Sequence, residues 1–177
     1  MELPNVLRYE EIDRFILAID KLEDLLACRL MLFGGLRVAE ALEVTPKDID
    51  PGSSSVFVRQ GKGSKDRLAP LDIHTLSLAL ILAKEKELRP EDRYFEQCKR
   101  SLQRHVGEIA EKAGILSNVT AHTLRHTCAT WQLDKGIPLE VVRGNLGHSD
   151  ISTTQIYLHL NIRQRSRAYL DATRFGI

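Results

Sequence analysis

The sequence lacks any long apolar run: stretches such as Leu78 to Ala83 are far shorter than the roughly 20 residues that a membrane span needs. The acidic N-terminus also lacks the charged and apolar regions of a signal peptide. Three cysteines, Cys28, Cys98 and Cys128, make an odd number with no C-x-x-C spacing. We therefore expect reduced packing residues rather than a disulfide or a zinc knuckle, and a cytoplasmic protein.

Net charge is almost absent, at +1 from 25 basic and 24 acidic residues, and a pI near 7.8 lies below the range above 9 that is typical of an obvious nucleic-acid binder. The charge is unevenly distributed, however. Residues 1–50 are predominantly acidic, whereas residues 51–100 and 151–177 carry a basic excess. We predict a phosphate-facing surface on these two basic segments.

The spacing of apolar residues predicts a mainly helical chain. Alternation from Ser55 to Gln60 and from Leu68 to Leu71, around a Gly61-Lys62-Gly63-Ser64 turn, predicts a β-hairpin. Helices are predicted at 12–19, 22–33 (both amphipathic), 38–42, 73–88, 101–113, 124–133 and 138–146, with a further helix carrying Tyr157 and a basic amphipathic tail. We therefore predict an α+β fold, mainly α with a small antiparallel sheet. We assign residues 9–177 to a single domain and residues 1–8 to a leader or linker remnant.

Two familiar motifs are only superficially present. The Gly-Lys-Gly-Ser stretch is not a phosphate-binding P-loop, because Gly63 stands where that motif places Ser or Thr. His122 and His126 have the i, i+4 spacing of a zinc protease helix, but Thr123 replaces the general-base Glu. We therefore predict neither a bound metal nor a nucleotide cofactor.

Four other patterns stand in a fixed order: Gly35-Leu36-Arg37-x-x-Glu40, the Gly-Lys-Gly turn, His122-x-Leu124-Arg125-His126, and Leu146-Gly147-His148 with a tyrosine nine residues later. Each pattern is weak alone, but together they resemble the tyrosine site-specific recombinases of the phage integrase family, nearest to the Xer-type branch. The catalytic residues implied by the resemblance are Arg37, Lys62, His122, Arg125, His148 and Tyr157.

The residue types suit breaking a phosphodiester without a metal, which requires a nucleophile, a proton donor and fixed positive charge. Arg37 and Arg125 are predicted to hold the non-bridging oxygens, because guanidinium offers paired donors and stays charged. The resemblance implies that Tyr157 attacks to give a 3′-phosphotyrosyl link and that His122 acts as its base. It also implies that Lys62 protonates the 5′ oxygen.

The resemblance gives the remaining polar residues smaller roles. Lys65 is the alternative to Lys62 as the proton donor. His148 donates a hydrogen bond to the phosphate, and Glu40 supports the two arginines. On the predicted hairpin, Arg59, Lys65 and Arg67 are candidates for contacts with DNA. The other histidines, His74, His105, His126 and His159, are assigned to packing or surface positions.

The resemblance corresponds to the family's C-terminal catalytic domain, so we expect the N-terminal core-binding domain to be absent. It implies double-stranded DNA as the partner, association with the nucleoid and a homotetramer on DNA, with a monomer off DNA as an open alternative. The tail, residues 161–177, either docks on a neighbouring protomer or folds back on its own domain. Two alternatives stay open: relaxation of DNA in the manner of a type IB topoisomerase, and a non-catalytic DNA-binding module on the same scaffold.

Overall fold

The computed structural model describes residues 5–59 and 66–147, and this part of the chain contains seven α-helices and a three-stranded antiparallel sheet. The prediction of a mainly helical fold with a small antiparallel sheet is therefore confirmed. The elements are α1 (Tyr9–Leu17), α2 (Leu22–Leu32), α3 (Val38–Glu43), a 3₁₀ turn (Pro46–Asp48), β1 (Ile49–Asp50), β2 (Ser55–Val58), β3 (Arg67–Pro70), α4 (Ile73–Glu85), α5 (Lys99–Lys112), α6 (Ala121–Asp134) and α7 (Leu139–Leu146).

Helix α2 forms the centre of the molecule and packs against α3, α4, α5 and α6. Leu26, Cys28, Leu30 and Met31 are completely buried although they lie on different sides of this helix. The expectation of an amphipathic helix here was wrong, because a helix surrounded by neighbours buries apolar residues all round. Within the described residues, no helix has both the length and the apolarity needed to cross a membrane.

The sheet places one apolar face towards the core. Val56 lies opposite Ala69 and both are fully buried, whereas the neighbouring pair Phe57 and Leu68 is exposed. This is the alternation expected of a strand pair with one solvated face. Strand β1, which pairs with β2 through Ile49, was not predicted, because two residues are too few to show an alternating pattern.

Side-chain and glycine caps fix the ends of the later helices. The Asp72 carboxylate accepts from two backbone N–H groups at the start of α4, and Gly147, at φ 64°, ends α7 in the left-handed conformation. Pro138 precedes α7 as its N-cap instead of occupying the predicted first helical position. Helix α4 ends at Glu85, short of the predicted Leu88, because Glu87 turns the chain with φ 51°.

The three cysteines divide into two kinds. Cys28 and Cys128 are buried as predicted, and burial raises the pKa of the Cys128 thiol to about 12. Cys98 is exposed, so its assignment to packing was wrong. It immediately precedes α5, where backbone N–H groups of Ser101 and Arg100 lower its pKa.

Candidate active site

The first part of the site is the turn between α2 and α3. Gly35 has φ 69°, and a Cβ there would lie 2.5 Å from the Leu146 side chain, so both the conformation and the space require glycine. Arg37 follows in an extended conformation as the residue before α3, and its backbone N–H donates to the Glu40 carboxylate at 2.7 Å. This turn directs the Arg37 side chain away from the core, leaving it 43% exposed.

The second part is the start of α6. The Thr120 hydroxyl accepts from the Thr123 backbone N–H at 3.2 Å and caps the helix. His122 and Arg125 then lie three residues apart, which puts them on one face of α6. His126 lies beside His122, with 6.4 Å between the ring centroids.

Arg125 connects the turn between α2 and α3 with the end of α7. Its guanidinium donates to the carbonyl of Gly35 and, at 2.7 Å, to the carbonyl of Leu146 at the end of α7. The residue is only 8% exposed. Burial, and then the neighbouring Arg37, lower the pKa of Arg125 to about 10, so this guanidinium stays charged at neutral pH.

Glu40 is the carboxylate beneath the cluster. It accepts from Arg37 at 2.7 Å and from two guanidinium nitrogens of Arg67 at 3.1 and 2.8 Å, and Arg125 lies 3.8 Å away. Burial alone would raise the pKa of Glu40, but the hydrogen bonds from Arg67 and Arg37 outweigh it and lower the pKa to about 2. One carboxylate thus faces three guanidiniums, and the cluster keeps an excess of positive charge.

This excess faces an open cleft of about 300 Å³. Among the described residues that line the cleft there is none with an acidic side chain; the lining residues are Arg37, Val38, Ala39, Lys99, Ala121, His122, Arg125 and His126. Burial, His122 and Arg125 lower the pKa of His126, which favours its neutral form. A site with two guanidiniums, an ammonium and two imidazoles is suited to an anion such as phosphate.

The structure brings part of the predicted site together. Arg37, His122 and Arg125 line one cleft, and Glu40 lies next to both arginines. Four predicted site residues, Lys62, Lys65, His148 and Tyr157, lie outside the described residues, as does the tail.

The two described hairpin candidates for DNA contact differ in their surroundings. The Arg59 guanidinium is half exposed and pairs with Asp48 at 2.5 Å. The Arg67 side chain is only 7% exposed and lies under the cluster, so its guanidinium is not presented to solvent.

Two residues of the cleft were missed by sequence reasoning. His126 had been assigned to packing or surface, yet it lines the cleft together with His122. Its i, i+4 spacing from His122 was a signal that it shares that face. Lys99, the first residue of α5, comes from a distant element, and no local pattern pointed to it.

The sequence profile of the phage integrase family matches residues 5–164. The chain belongs to the phage integrase family. It is 35% identical over 178 residues to the tyrosine recombinase XerA of Saccharolobus solfataricus, covering 96% of this chain and 60% of that protein. Thus this integrase-family chain spans about 60% of the length of the curated relatives it matches.

Solved structures agree with the assignment to this family. A crystal structure of XerA recombinase superposes with a TM-score of 0.83 at 28% identity, covering 99% of this chain and 68% of that one. XerH site-specific recombinase bound to its difH substrate gives 0.76 at 28% identity, covering 93% and 53%. These similarities support the predicted nearness of this family member to the Xer-type branch.

Proposed function

We propose that the chain is the catalytic domain of a site-specific recombinase, which cleaves and rejoins DNA strands through a covalent link to Tyr157. The observation that carries the proposal is the cleft in which Arg37, Arg125 and His122 meet without an acidic residue among its described lining. The positive charge of such a site attracts the negative charge of a phosphodiester, and no acidic residue of the described lining repels it. It supplies fixed positive charge where charge develops during phosphoryl transfer.

The two arginines provide the electrostatic part of the reaction. Arg37 and Arg125 bind the non-bridging oxygens of the scissile phosphate and stabilise the negative charge of the transition state. Both guanidiniums are already held in place by Glu40 and by backbone carbonyls, so little reorganisation is needed when the phosphate arrives.

The covalent step exchanges one ester for another. The phenol oxygen of Tyr157 attacks the scissile phosphorus, the bond from phosphorus to the 5′ oxygen breaks, and a 3′-phosphotyrosyl ester and a 5′-hydroxyl result. His122 takes the phenol proton, because a phenol with a pKa of about 10 is mostly protonated at neutral pH. The reverse steps rejoin a 5′-hydroxyl and release Tyr157.

The leaving oxygen also needs a proton. Lys62 is the proposed donor and Lys65 its rival, since a positioned ammonium is suited to this role. His148 donates a hydrogen bond to a non-bridging oxygen. These assignments follow from the resemblance and from the sequence positions of the residues.

The partner of the proposed reaction is double-stranded DNA. XerH site-specific recombinase, to which the chain is 28% identical, was solved bound to its difH substrate, and the Tn1549 transposon integrase, of the same fold, was solved in complex with DNA. We propose that four copies act together on DNA and that residues 161–177 connect neighbouring copies. We also propose that tight binding to DNA requires a further DNA-clamping domain. Residues 1–177 by themselves then bind duplex DNA weakly and in a salt-sensitive manner.

Covalent capture tests the proposal. The protein is mixed with labelled nicked duplexes from its own genome, denatured and run on a gel. We expect a protein–DNA band with wild type and with Tyr9→Phe, a control that removes the hydroxyl of an exposed tyrosine on α1, but no band with Tyr157→Phe. If no Tyr157-dependent band forms even when a DNA-clamping domain from a relative is supplied, the chain is not a strand-transfer enzyme.

Transfer to a new strand separates recombination from simple relaxation. A captured adduct should join a 5′-hydroxyl strand from a second duplex. Efficient relaxation of supercoiled plasmid without any transfer would favour the topoisomerase-like activity instead.

A leaving-group substitution tests the proton donor. We expect Lys62→Ala to form little adduct on ordinary DNA and to regain it on DNA whose 5′-bridging oxygen is replaced by sulfur, because thiolate leaves without protonation. Lys65→Ala is the matched control and should need no rescue. If the sulfur substrate rescues Lys65→Ala instead, Lys65 is the donor.

A further inference from the structure

Arg67 differs from the other arginines of the site because it does not line the cleft. It is the first residue of β3, and its side chain is 7% exposed. In the sequence it follows Lys62 by five positions. An arginine that is so well buried and does not face the cleft contributes through the groups it holds.

Arg67 has two kinds of partner. Two of its guanidinium nitrogens donate to the two carboxylate oxygens of Glu40, at 3.1 and 2.8 Å. The third nitrogen, Nε, donates to the backbone carbonyl of Asn145 at 2.9 Å. Only the planar fork of a guanidinium can make this paired contact and a third one at once, because an ammonium is a point charge on a flexible chain.

The end of α7 shows what these contacts achieve. The last two carbonyls of α7, at Asn145 and Leu146, and the carbonyl of the C-cap Gly147 each accept from a different arginine: Arg67, Arg125 and Arg37 respectively. Carbonyls at the end of a helix lack partners within the helix and carry partial negative charge, which the arginines neutralise. Glu40 joins the same three arginines on their other side.

We propose that Arg67 is a positioning residue, which fixes Glu40 and the end of α7 so that Arg37 and Arg125 point into the cleft, and that it does not contact DNA. This inference rests on the proposed function. Arg67 links β3, α3 and α7, and the residues proposed to act in catalysis lie near these three elements in the sequence. In the sequence, Lys62 precedes β3, Arg37 precedes α3, and His148 follows the residue that ends α7, Gly147.

The test separates rate from DNA affinity. The variants are Arg67→Gln, which loses both the charge and the planar guanidinium, and Arg67→Lys, which keeps the charge but loses the planar guanidinium. We expect both to lower the rate of adduct formation by up to about 100-fold, as small misplacements of reacting groups do. Binding is measured in a Tyr157→Phe background, and we expect its affinity and salt dependence to stay as in the parent.

The matched control is Arg93→Gln. Arg93 also reaches α3, where it pairs with Glu43, but both side chains are more than half exposed. We expect neither the rate nor the binding to change in this variant. Circular dichroism and urea unfolding show whether each variant folds. NMR titration of the Glu40 carboxyl then tests the contact independently of activity, and we expect the pKa of Glu40 to rise in Arg67→Gln.

Different results overturn different claims. If Arg67→Gln reduces the slope of log affinity against log salt by about 1 and Arg67→Lys restores it, Arg67 contacts a phosphate and the positioning role is wrong. An unchanged adduct rate, or an unchanged Glu40 pKa, in Arg67→Gln also overturns it. If wild type forms no Tyr157-dependent adduct even with the DNA-clamping domain supplied, the proposed function is overturned instead. The Glu40 titration then still tests whether Arg67 holds the Glu40 carboxylate.

Discussion

Glu40 and Glu43 are the same residue type on the same short helix, yet they occupy opposite environments. The Glu40 side chain is 10% exposed and accepts from Arg37 and Arg67, whereas the Glu43 side chain is 60% exposed and pairs with Arg93 alone. Exposed pairs contribute little to stability, because water and salt screen them. Burial and the number of partners, not the presence of an ion pair, therefore decide what a carboxylate does here.

Removing the buried carboxylate should have the largest effect. Glu40→Ala leaves Arg67 and Arg125 close together without their counter-charge, and we expect a loss of about 4 kcal/mol of unfolding free energy. Urea unfolding at pH 7 measures it. A loss below about 1 kcal/mol would mean that the backbone carbonyls alone compensate the guanidiniums.

The pH dependence should show the same contribution. The pKa of Glu40 is about 2 in the folded chain, against an ordinary value of 4.5, so its stabilisation is fully present above about pH 4.5 and is lost as the pH falls towards 2. We expect the stability difference between wild type and Glu40→Gln to shrink over this window. Glu43→Gln serves as control, and an equal narrowing there would assign the effect to general acid unfolding.

Two left-handed glycines extend the comparison from charge to backbone. Gly35 has φ 69° and no room for a methyl group beside Leu146, whereas Gly136 has φ 82° and nothing within 4 Å. We expect Gly35→Ala to cost about 3 kcal/mol, from backbone strain and overpacking, and Gly136→Ala to cost about 1 kcal/mol from strain alone. Equal losses in thermal or urea unfolding would contradict the crowding at Gly35.

The exposed pair should give the smallest effect. Glu43→Ala and Arg93→Ala each remove one member of a solvated contact, and we expect changes within about 0.5 kcal/mol. The double variant should match the sum of the two single ones. A coupling above about 1 kcal/mol in that double-mutant cycle would place Glu43 in the same class as Glu40 and erase the contrast.

Much of the fold could be predicted because local patterns carry it. The alternation around Val56 and Val58 predicted the hairpin, and Gly114 and Gly147 marked helix ends. The failures fall where neighbours decide. Helix α2 lost its expected polar face because helices surround it, and Cys98 is exposed because it lies just before α5 instead of inside the core.

The types and the order of the candidate site residues can be read from the sequence alone. Arg37, His122 and Arg125 were identifiable from short motifs, because each chemical role admits few side chains and each motif lies within a few residues. Their roles in catalysis stay predictions until the capture experiment is done.

Which polar residues face the cleft and which hold other side chains in place depends on how the elements pack. His126 and Lys99 line the cleft, while Arg67 is turned beneath it towards Glu40 and Asn145. The physical reason is distance along the chain. The Arg67–Asn145 contact joins residues 78 positions apart, and the partners of a buried charge are set by the packing of whole elements, which no local spacing records.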